Sequence, residues 1–340
     1  MSKLEIYSYL TPTTFGQSLD EIQAGSAAIS GLDRALIGYH SFGPDNIVLA
    51  ALVLAANPEL NVLIAHRPGV IEPPVAARMI STLSRVSDGR VDLHVLAGGA
   101  PGDQLREGDY VAHDDRYRRA TEYVEALQQI WAAEAPTSHS GEFYKFEDTR
   151  PNEMKPEEVR IHMGGASGAG LEFGAAKADV YMLWGEPLEE VRARIEEISA
   201  KASGYGRPTP RISLSLRLYL GETEEEAWSL ARSEPAYQKF IERGAEVSTR
   251  AHAEDAGRNR QLKVAQQGEV HDDCLWTGLV AAMNGLGNAS ALVGTEDRVM
   301  ESLRAYRKLG VDTFLISGKG GDWDQSLAPL ATGCAVSWHD

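Results

Sequence analysis

The sequence predicts an α/β fold, a (β/α)8 TIM barrel with insertions in its βα loops. Short runs rich in β-branched and apolar residues alternate about eight times with longer segments of helical periodicity. The GxGxxG turn that is typical of an open doubly wound sheet does not follow the first run. A length of 340 residues suits one barrel with insertions, so we expect a single domain over residues 1–340.

The predicted strands are short and apolar, and a longer helical segment follows each of them. The strands are Leu4–Leu10, Ala35–Tyr39, Asn61–Ala65, Val91–Leu96, Val159–Met163, Val180–Trp184, Ile212–Tyr219 and Thr313–Ser317. The helices are Gln17–Ser30, Asp45–Ala56, Pro73–Val86, Asp115–Ala133, Ala169–Lys177, Leu188–Ser203, Thr223–Arg243 and Asp297–Leu309.

One segment exceeds the βα repeat. Residues of about 245–294 lie between the helix after the seventh strand and the last βα unit. Because barrels place functional insertions in their βα loops, this segment is interpreted as a lid or a subunit contact. A pair of surface helices without a catalytic role explains the segment equally well.

The composition argues against several classes of partner. A formal charge of −16 repels nucleic acid and anionic membrane surfaces. Two cysteines, Cys274 and Cys334, form neither a disulfide framework nor a zinc motif, which fits a reducing cytoplasm. The first ten residues are too short and polar for a signal peptide, so a cytoplasmic protein is expected.

A glycine-rich run follows the fifth predicted strand. Gly164, Gly165, Ala166 and Ser167 lie between that strand and a helix. Their backbone amides and the Ser167 hydroxyl can meet a phosphate at the positive end of the helix. An ordinary tight βα turn is the alternative interpretation.

The helix after the fourth strand begins with a cationic and aromatic turn. His113 and Tyr117 are four residues apart, so both side chains can point toward one site. Arg116, Arg118 and Arg119 place cations where the helix dipole disfavours them, which suggests salt bridges or contact with an anion. A solvated, charged helix start is the alternative.

Two later strands carry candidate pocket residues. Trp184 ends the sixth strand and gives a pocket an aromatic wall. On the seventh strand, alternation places Arg217 and Tyr219 on the polar face, opposite Leu216 and Leu218. Helices cover the outside of a barrel, so this polar face is expected to be the lumen. Arg217 there requires an anion from the protein or from a substrate.

Several of these segments, taken in order, resemble the luciferase-like monooxygenase superfamily, nearest its branch of FMNH2-dependent alkanesulfonate monooxygenases. The resemblance covers essentially the whole chain, and its specificity comes from the number of motifs that occur in register. The motifs are Ala65–Pro68, Pro74–Arg78, Leu83–Arg90, His113–Tyr117 with Glu122 and Tyr123, Gly164–Ser167, Tyr181–Pro187, and Ala291–Gly294 with Leu309–Asp312.

The resemblance implies a two-component monooxygenase. A separate NAD(P)H:flavin reductase supplies reduced FMN, and a flavin C4a-(hydro)peroxide formed with O2 oxygenates a small organic substrate. The residues are assigned by analogy. Tyr117 and Ser167 would hold the FMN phosphate, with His113 nearby and backbone contacts from Gly164, Gly165 and Ala166; His94, Ala97 and Gly98 would lie beside the isoalloxazine; and His40, Trp184 and Arg217 would line the substrate side.

Departures from the alkanesulfonate branch concern the substrate. Tyr219 stands where that branch has an active-site histidine, Gly43 replaces a cysteine, Asn284 an arginine, and Lys319 a tyrosine. A substrate other than a simple alkanesulfonate is therefore expected, with Asn284 and Lys319 among its contacts. A general acid or base can come from His40, His66, His94 or Tyr219. Of these His94 is preferred, since it lies within a strand facing the flavin, although a core histidine satisfied by its neighbours is the alternative.

Two other functions remain open. A deazaflavin-dependent dehydrogenase on the same barrel would transfer hydride without O2, and a relative that has lost its reactive groups would bind flavin without catalysis. Relatives are commonly oligomeric, so a homodimer or homotetramer is expected.

Overall fold

The computed structural model describes residues 4–10, 18–27, 29, 31–98, 102–249 and 255–318. These residues form two compact units. The N-terminal unit contains the described residues of 9–164 and 168–181, and the C-terminal unit those of 1–8, 165–167 and 182–340. Across the described ranges, no helix combines the length and apolar character needed to cross a membrane.

The elements of the described chain alternate as the sequence predicts. The strands are β1 (Glu5–Leu10), β2 (Arg34–Ile37), β3 (Asn61–His66), β4 (Val91–Val95), β5 (Thr137–Ser140), β6 (Lys145–Thr149), β7 (Ile161–Gly164), β8 (Val180–Trp184), β9 (Arg211–Leu220), β10 (Val270–His271), β11 (Leu275–Trp276), β12 (Ala291–Gly294) and β13 (Val311–Gly318). The helices are α1 (Leu19–Ala27), α2 (Asn46–Ala56), α3 (Pro73–Val86), α4 (Asp103–Arg106), α5 (His113–Ala132), α6 (Gly168–Lys177), α7 (Leu188–Gly204), α8 (Glu224–Arg232), α9 (Pro235–Glu242), α10 (Ala256–Gln267), α11 (Gly278–Ala282) and α12 (Glu296–Lys308).

The strand pairing confirms the predicted fold class. Eight strands are hydrogen-bonded in the order β9-β13-β1-β2-β3-β4-β7-β8, and a further pairing of β8 with β9 closes the (β/α)8 barrel. Strands β5 and β6 form a separate antiparallel pair. Strands of a parallel barrel end at the same rim, so the segments that follow them are where a site is expected.

The barrel strands β2, β3, β4 and β7 of the N-terminal unit are almost entirely buried. In the parallel register of β3, β4 and β7, Leu63 lies opposite Asp92, and His94 lies opposite His162. Asp92 and His162 are thus polar groups buried among apolar strand residues, and each requires a partner.

The C-terminal unit differs from the prediction in two places. The predicted helix Thr223–Arg243 is two helices, since Pro235 lacks an N–H and occupies the first turn of α9. The segment predicted as an insertion contains α10, α11 and β10 to β12, and β12 pairs in parallel with β9.

The described part of this inserted segment has a buried aromatic centre. The Trp276 ring packs edge-on against Tyr219, Tyr237 and Trp228, with centroid distances of 5.9, 5.0 and 6.4 Å. The segment therefore packs on β9 through apolar side chains and adds to the core of its unit.

Candidate functional site

His94 is a half-buried histidine close to the end of β4. Its Nδ1 atom is enclosed and has no hydrogen-bond partner among the described residues. Burial lowers the pKa of His94 to about 4, and a hydrogen bond with the His162 backbone opposes this shift. The imidazole is therefore neutral near pH 7, and its Nδ1 can exchange a hydrogen bond with a bound molecule.

The first turn of α5 is fastened to the segment that follows β4. Arg116 Nε donates to the carbonyl oxygen of Ala97 at 3.0 Å, and its Nη1 donates to Val111 at 2.9 Å. Ala97 is buried and Gly98 is half-buried. The structure thus brings the predicted cofactor residues after β4 next to the helix turn that carries the other predicted pair.

That other pair is His113 and Tyr117. Their rings meet edge-on with centroids 5.3 Å apart, and His113 Nδ1 lies 2.8 Å from Asp114 Oδ1. The spacing of four residues therefore places both rings on one face of α5, as predicted.

The remaining arginines of this turn form salt bridges. Arg118 pairs at the exposed surface with Asp115 and Glu142. Arg119 makes a buried two-pronged pair with Asp109, at 3.1 and 2.5 Å. Salt bridges, rather than contact with an anion, therefore account for Arg118 and Arg119.

The glycine-rich run lies where the sequence places it. Gly164 ends β7, and Gly165, Ala166 and Ser167 lead into α6. A Cβ atom added to Gly168, the first residue of α6, would meet nothing within 4 Å. This open helix start suits an anion, while the tight-turn interpretation remains compatible with it.

Trp184 ends β8 and exposes 38% of its surface. Within the C-terminal unit, a Cβ on Gly257 of α10 would lie 3.4 Å from Trp184 Nε1 and 3.8 Å from Ala166 Cβ. The start of α10 therefore lies against both the indole and the glycine-rich run.

The residues after Trp184 are locked by α10 and α12. Glu186 is 6% exposed and makes a two-pronged pair with Arg260, whose Nε lies 3.1 Å from Glu186 Oε1. Gln261 donates to the Gly185 carbonyl at 3.3 Å, and the Tyr306 hydroxyl donates to the Glu186 carbonyl at 2.8 Å. The Glu186 carboxylate is thus already paired with an arginine of the protein.

Arg217 on β9 is half-buried and has no carboxylate partner among the described residues. Its Nε donates to the carbonyl of Asn288 at 2.6 Å, and its backbone N–H donates to Ser290 at 2.9 Å. The guanidinium is thereby oriented by the loop before β12, and its charge is available to an anionic group.

The same loop contains Asn284, which has a left-handed backbone with φ of 54°. Its carbonyl accepts a 2.7 Å hydrogen bond from Arg258 Nε. The side-chain Oδ1 atoms of Asn284 and Asn288 are enclosed and have no hydrogen-bond partner within the described ranges. The loop thus links α10 to Arg217 and offers two amide groups to a ligand.

The other predicted site residues have different surroundings. The Tyr219 hydroxyl donates to Glu234 at 2.9 Å, and burial together with the Glu234 charge raises the pKa of Tyr219. His40 is exposed and lies 2.9 Å from the Tyr9 hydroxyl. Lys319 lies outside the described residues.

His66, a further candidate acid or base, is enclosed by the helical layer. Its Nε2 lies 2.6 Å from the Tyr123 hydroxyl, which itself donates to Ile71 at 3.0 Å. Burial lowers the pKa of His66 to about 4. This is the environment of a core histidine whose polar atom is satisfied.

Sequence reasoning missed the residues that hold the site together. Arg258, Arg260, Gln261 and Asn288 come from the inserted segment, and the Arg260–Glu186 pair joins residues 74 positions apart. The mixed charges of this segment are visible in the sequence, but no local pattern identifies partners so distant. In the ranges that the structure describes, no group of three His, Cys, Asp or Glu side chains is arranged for a metal ion.

Comparison with known proteins identifies the family. The chain matches the luciferase-like monooxygenase family over residues 14–313. Three solved structures with a similar fold cover 98% of this chain each. Riboflavin lyase, solved with modified FMN and riboflavin, is 18% identical with a TM-score of 0.78 and 92% of its own chain covered.

The other two structures are named for two different reactions. EDTA monooxygenase from Chelativorans sp. BNC1 is 17% identical, with a TM-score of 0.74 and 95% of its chain covered. An F420-dependent secondary alcohol dehydrogenase is 15% identical, with a TM-score of 0.69 and 99% of its chain covered.

The barrel and the family match together define the class of protein. The chain belongs to the luciferase-like monooxygenase family.

Proposed function

We propose that this protein uses reduced FMN, supplied by a separate NAD(P)H:flavin reductase, to oxygenate a small organic substrate with O2. The observation that carries the proposal is the enclosed His94 Nδ1, which lies near the end of β4 without a partner in the described chain. A flavin ring edge alternates hydrogen-bond donors and acceptors, so it suits a neutral imidazole that can do either. When bound, the reduced flavin supplies the electrons that activate O2.

The phosphate of FMN is assigned to two groups of residues. Tyr117 and His113 form one ring pair on α5, and the run from Gly164 to Ser167 leads into the start of α6. Backbone amides at a helix start and a hydroxyl donor favour a phosphate dianion. Ala97 and Gly98 supply a backbone edge beside His94.

The substrate is assigned to the residues of the C-terminal unit. Arg217 offers a cation that no described carboxylate neutralises, and Asn284 and Asn288 offer amide groups with unpartnered oxygens. Trp184 gives an exposed aromatic surface. This set differs from the one expected for a simple alkanesulfonate, so we propose a substrate with both an anionic group and hydrogen-bond donors.

A deazaflavin-dependent dehydrogenase is the second candidate function. The fold similarity to an F420-dependent secondary alcohol dehydrogenase favours it, because that enzyme belongs to the same architecture. A flavin-binding protein without catalysis is the third. We further propose a cytoplasmic homodimer or homotetramer.

Rapid mixing distinguishes these candidates. Protein loaded anaerobically with reduced FMN is mixed with O2, and the flavin absorbance is followed alongside free reduced FMN. For a monooxygenase, the flavin absorbance should change in at least two phases, the second slower than the oxidation of free FMN, because a closed site protects reactive intermediates from side reactions. Oxidation at the rate of free FMN, in a protein shown to bind reduced FMN, would contradict the proposal.

A further inference from the structure

Helix α10 carries two side chains that bind one loop of the C-terminal unit, the segment of residues 284–290 before β12. Arg258 Nε donates to the Asn284 carbonyl at 2.7 Å, and Gln261 Oε1 accepts from the Ser290 hydroxyl at 3.0 Å. Arg258 and Gln261 are three residues apart, so they project from the same face of the helix. Helix α10 therefore holds this loop at both of its ends.

The amide of Gln261 also reaches the residue that follows β8. Gln261 and Ser290 are 3% and 1% exposed, and Gln261 Nε2 donates to the Gly185 carbonyl at 3.3 Å. A carbonyl oxygen only accepts hydrogen bonds, so the Nε2 side of the amide faces Gly185 and the Oε1 side faces the Ser290 hydroxyl. One buried amide thus links the end of β8 to the loop before β12 in a single orientation.

The junction around this amide is closely packed. The Gly185 backbone N–H donates to the Ser215 carbonyl at 2.9 Å. A Cβ atom added to Gly185 would overlap Leu216 Cδ2 and would lie 3.0 Å from Ser290 Cβ, which is closer than ordinary van der Waals contact. Close packing and the Gln261 amide together fix Ser290 relative to β9.

The loop in turn orients Arg217 on β9. The Ser290 carbonyl accepts from the Arg217 backbone N–H at 2.9 Å, and the Asn288 carbonyl accepts from Arg217 Nε at 2.6 Å. Ala291, which follows Ser290, is the register partner of Arg217 in the parallel pair of β12 and β9. The direction of the guanidinium therefore depends on where the loop places the Asn288 carbonyl.

We infer that Gln261 is a positioning residue, which fixes the loop of residues 284–290 and thereby aims the Arg217 guanidinium at the anionic group of the substrate. Gln261 acts through Ser290, because its two side-chain hydrogen bonds go to Ser290 and Gly185. The anionic group of the substrate rests on the proposed function, whereas the orientation of Arg217 is a property of the protein alone.

The first test is the Arg217 guanidinium of the unliganded protein. Protein with 15N-labelled arginine is examined by 1H–15N NMR, and the variants Arg217→Met and Arg243→Met assign the two Nε–H signals. We expect the Arg217 Nε–H to exchange with solvent at least about tenfold more slowly than that of the exposed Arg243, because it donates to Asn288. Equal exchange rates would overturn the inference whether or not the protein binds FMN.

Variants then separate positioning from a merely structural role. Gln261→Met keeps the length of the side chain and removes both hydrogen bonds, so the Arg217 Nε–H should exchange about tenfold faster, the effect of one lost hydrogen bond. Ser290→Ala removes the hydroxyl that Gln261 accepts from and should change the rate in the same direction. The double variant should exchange no faster than Gln261→Met, because both changes delete the same contact. Gln266→Met is the matched control on α10, since its exposed amide donates to the Ser248 carbonyl, and it should leave the rate unchanged.

Inorganic sulfate serves as the anionic probe of the same guanidinium. Titration of wild-type protein with sulfate should shift the Arg217 Nε–H signal, because the charged group donates to the anion. Gln261→Met should raise the sulfate dissociation constant measured from this signal about threefold to tenfold. Gln266→Met should leave it at the wild-type value.

The outcomes are distinct. A lowered unfolding temperature in Gln261→Met, with unchanged Arg217 exchange and unchanged sulfate affinity, would show that Gln261 only packs and would overturn the inference. Where Gln261→Met does not fold, Ser290→Ala provides the same comparison, and the wild-type exchange rate decides independently. A slowly exchanging Arg217 Nε–H that does not respond to sulfate would count against the proposed anionic substrate alone.

Discussion

The β4–α5 region of the N-terminal unit and the β8–β9 ends of the C-terminal unit are stabilised in different ways. In the connection from β4 to α5, a short-range contact from Arg116 to the Ala97 carbonyl, 19 residues apart, fastens the first turn of α5, whereas Asp92 within β4 is held by Arg160 and His162, 68 and 70 residues away. Around β8 and β9, the side chains are positioned by contacts between residues 71 to 76 positions apart, among them Arg260 with Glu186 and Arg217 with Asn288.

The difference separates two tasks of a binding site. The β4–α5 region positions groups locally and is assigned to the cofactor. The β8–β9 region depends on an inserted segment, which can change its sequence without disturbing the barrel. We therefore assign cofactor binding to the first region and substrate choice to the second.

The largest expected effect is on stability in the β8–β9 region. Arg260→Met leaves the buried Glu186 carboxylate without its partner and should lower the free energy of unfolding by about 2–4 kcal/mol. Arg118→Met is the matched control, since the ion pairs of Arg118 are exposed and its other contact is with the Phe143 ring, so urea titrations should show a much smaller loss than in Arg260→Met. Equal losses of unfolding free energy in Arg260→Met and Arg118→Met would contradict the claim that the two regions are stabilised differently.

The next effect concerns the cofactor region. Tyr117→Phe combined with Ser167→Ala should weaken FMN binding by about 1–3 kcal/mol, because two hydrogen bonds to a phosphate are lost. Quenching of FMN fluorescence measures this change. The control Tyr205→Phe with Ser199→Ala makes the same atom deletions near the C-terminal end of α7, and its affinity should equal that of wild type. Unchanged affinity in the first variant would withdraw the phosphate assignment.

Acid should destabilise the protein through its buried histidines. The folded-state pKa of His66, about 4, lies below the unfolded value of 6.5, so its contribution is fully present above pH 6.5. That contribution is lost as the pH falls toward 4, at about 1.4 kcal/mol per pH unit. His66→Gln should therefore show a shallower decline in unfolding free energy between pH 6.5 and 4.5. An identical slope would mean that the ring is not buried in its neutral form.

The smallest effect should be local. Arg217→Met removes one hydrogen bond to the Asn288 carbonyl and should cost about 1 kcal/mol. Hydrogen exchange at residues 284–290 should accelerate about fivefold, while the strands of the N-terminal unit stay protected. Arg243→Met, at an exposed arginine after α9, is the control. Exchange that stays slow in Arg217→Met would show that the loop is stabilised by other contacts.

Local patterns in the sequence suffice for most of the fold. The predicted helix Pro73–Val86 coincides with α3, because a proline starts the helix and a stretch of apolar periodicity defines it. The short strand β12 was missed, since four apolar residues inside an apparent insertion give too little periodicity. Pro235, which divides α8 from α9, is the exception in which a local signal was present and was overlooked.

In the candidate site too, local spacing was predictable from the sequence and contacts between distant residues were not. The spacing of His113 and Tyr117 predicts their shared face, because residues four apart on a helix are neighbours. The partners of Glu186 and Arg217 were not predictable, since each depends on how a distant loop folds back on its strand. The Asp92–His162 pair was missed for the same reason, as strand register is set by the whole sheet.

The most direct test of a flavin monooxygenase is the choice of cofactor. The purified protein is titrated anaerobically with reduced FMN and, separately, with reduced F420, and the two dissociation constants are compared by calorimetry. We expect reduced FMN to bind at least about tenfold more tightly, a difference of about 1.4 kcal/mol. Tighter binding of reduced F420, or no binding of reduced FMN, would contradict the proposed function.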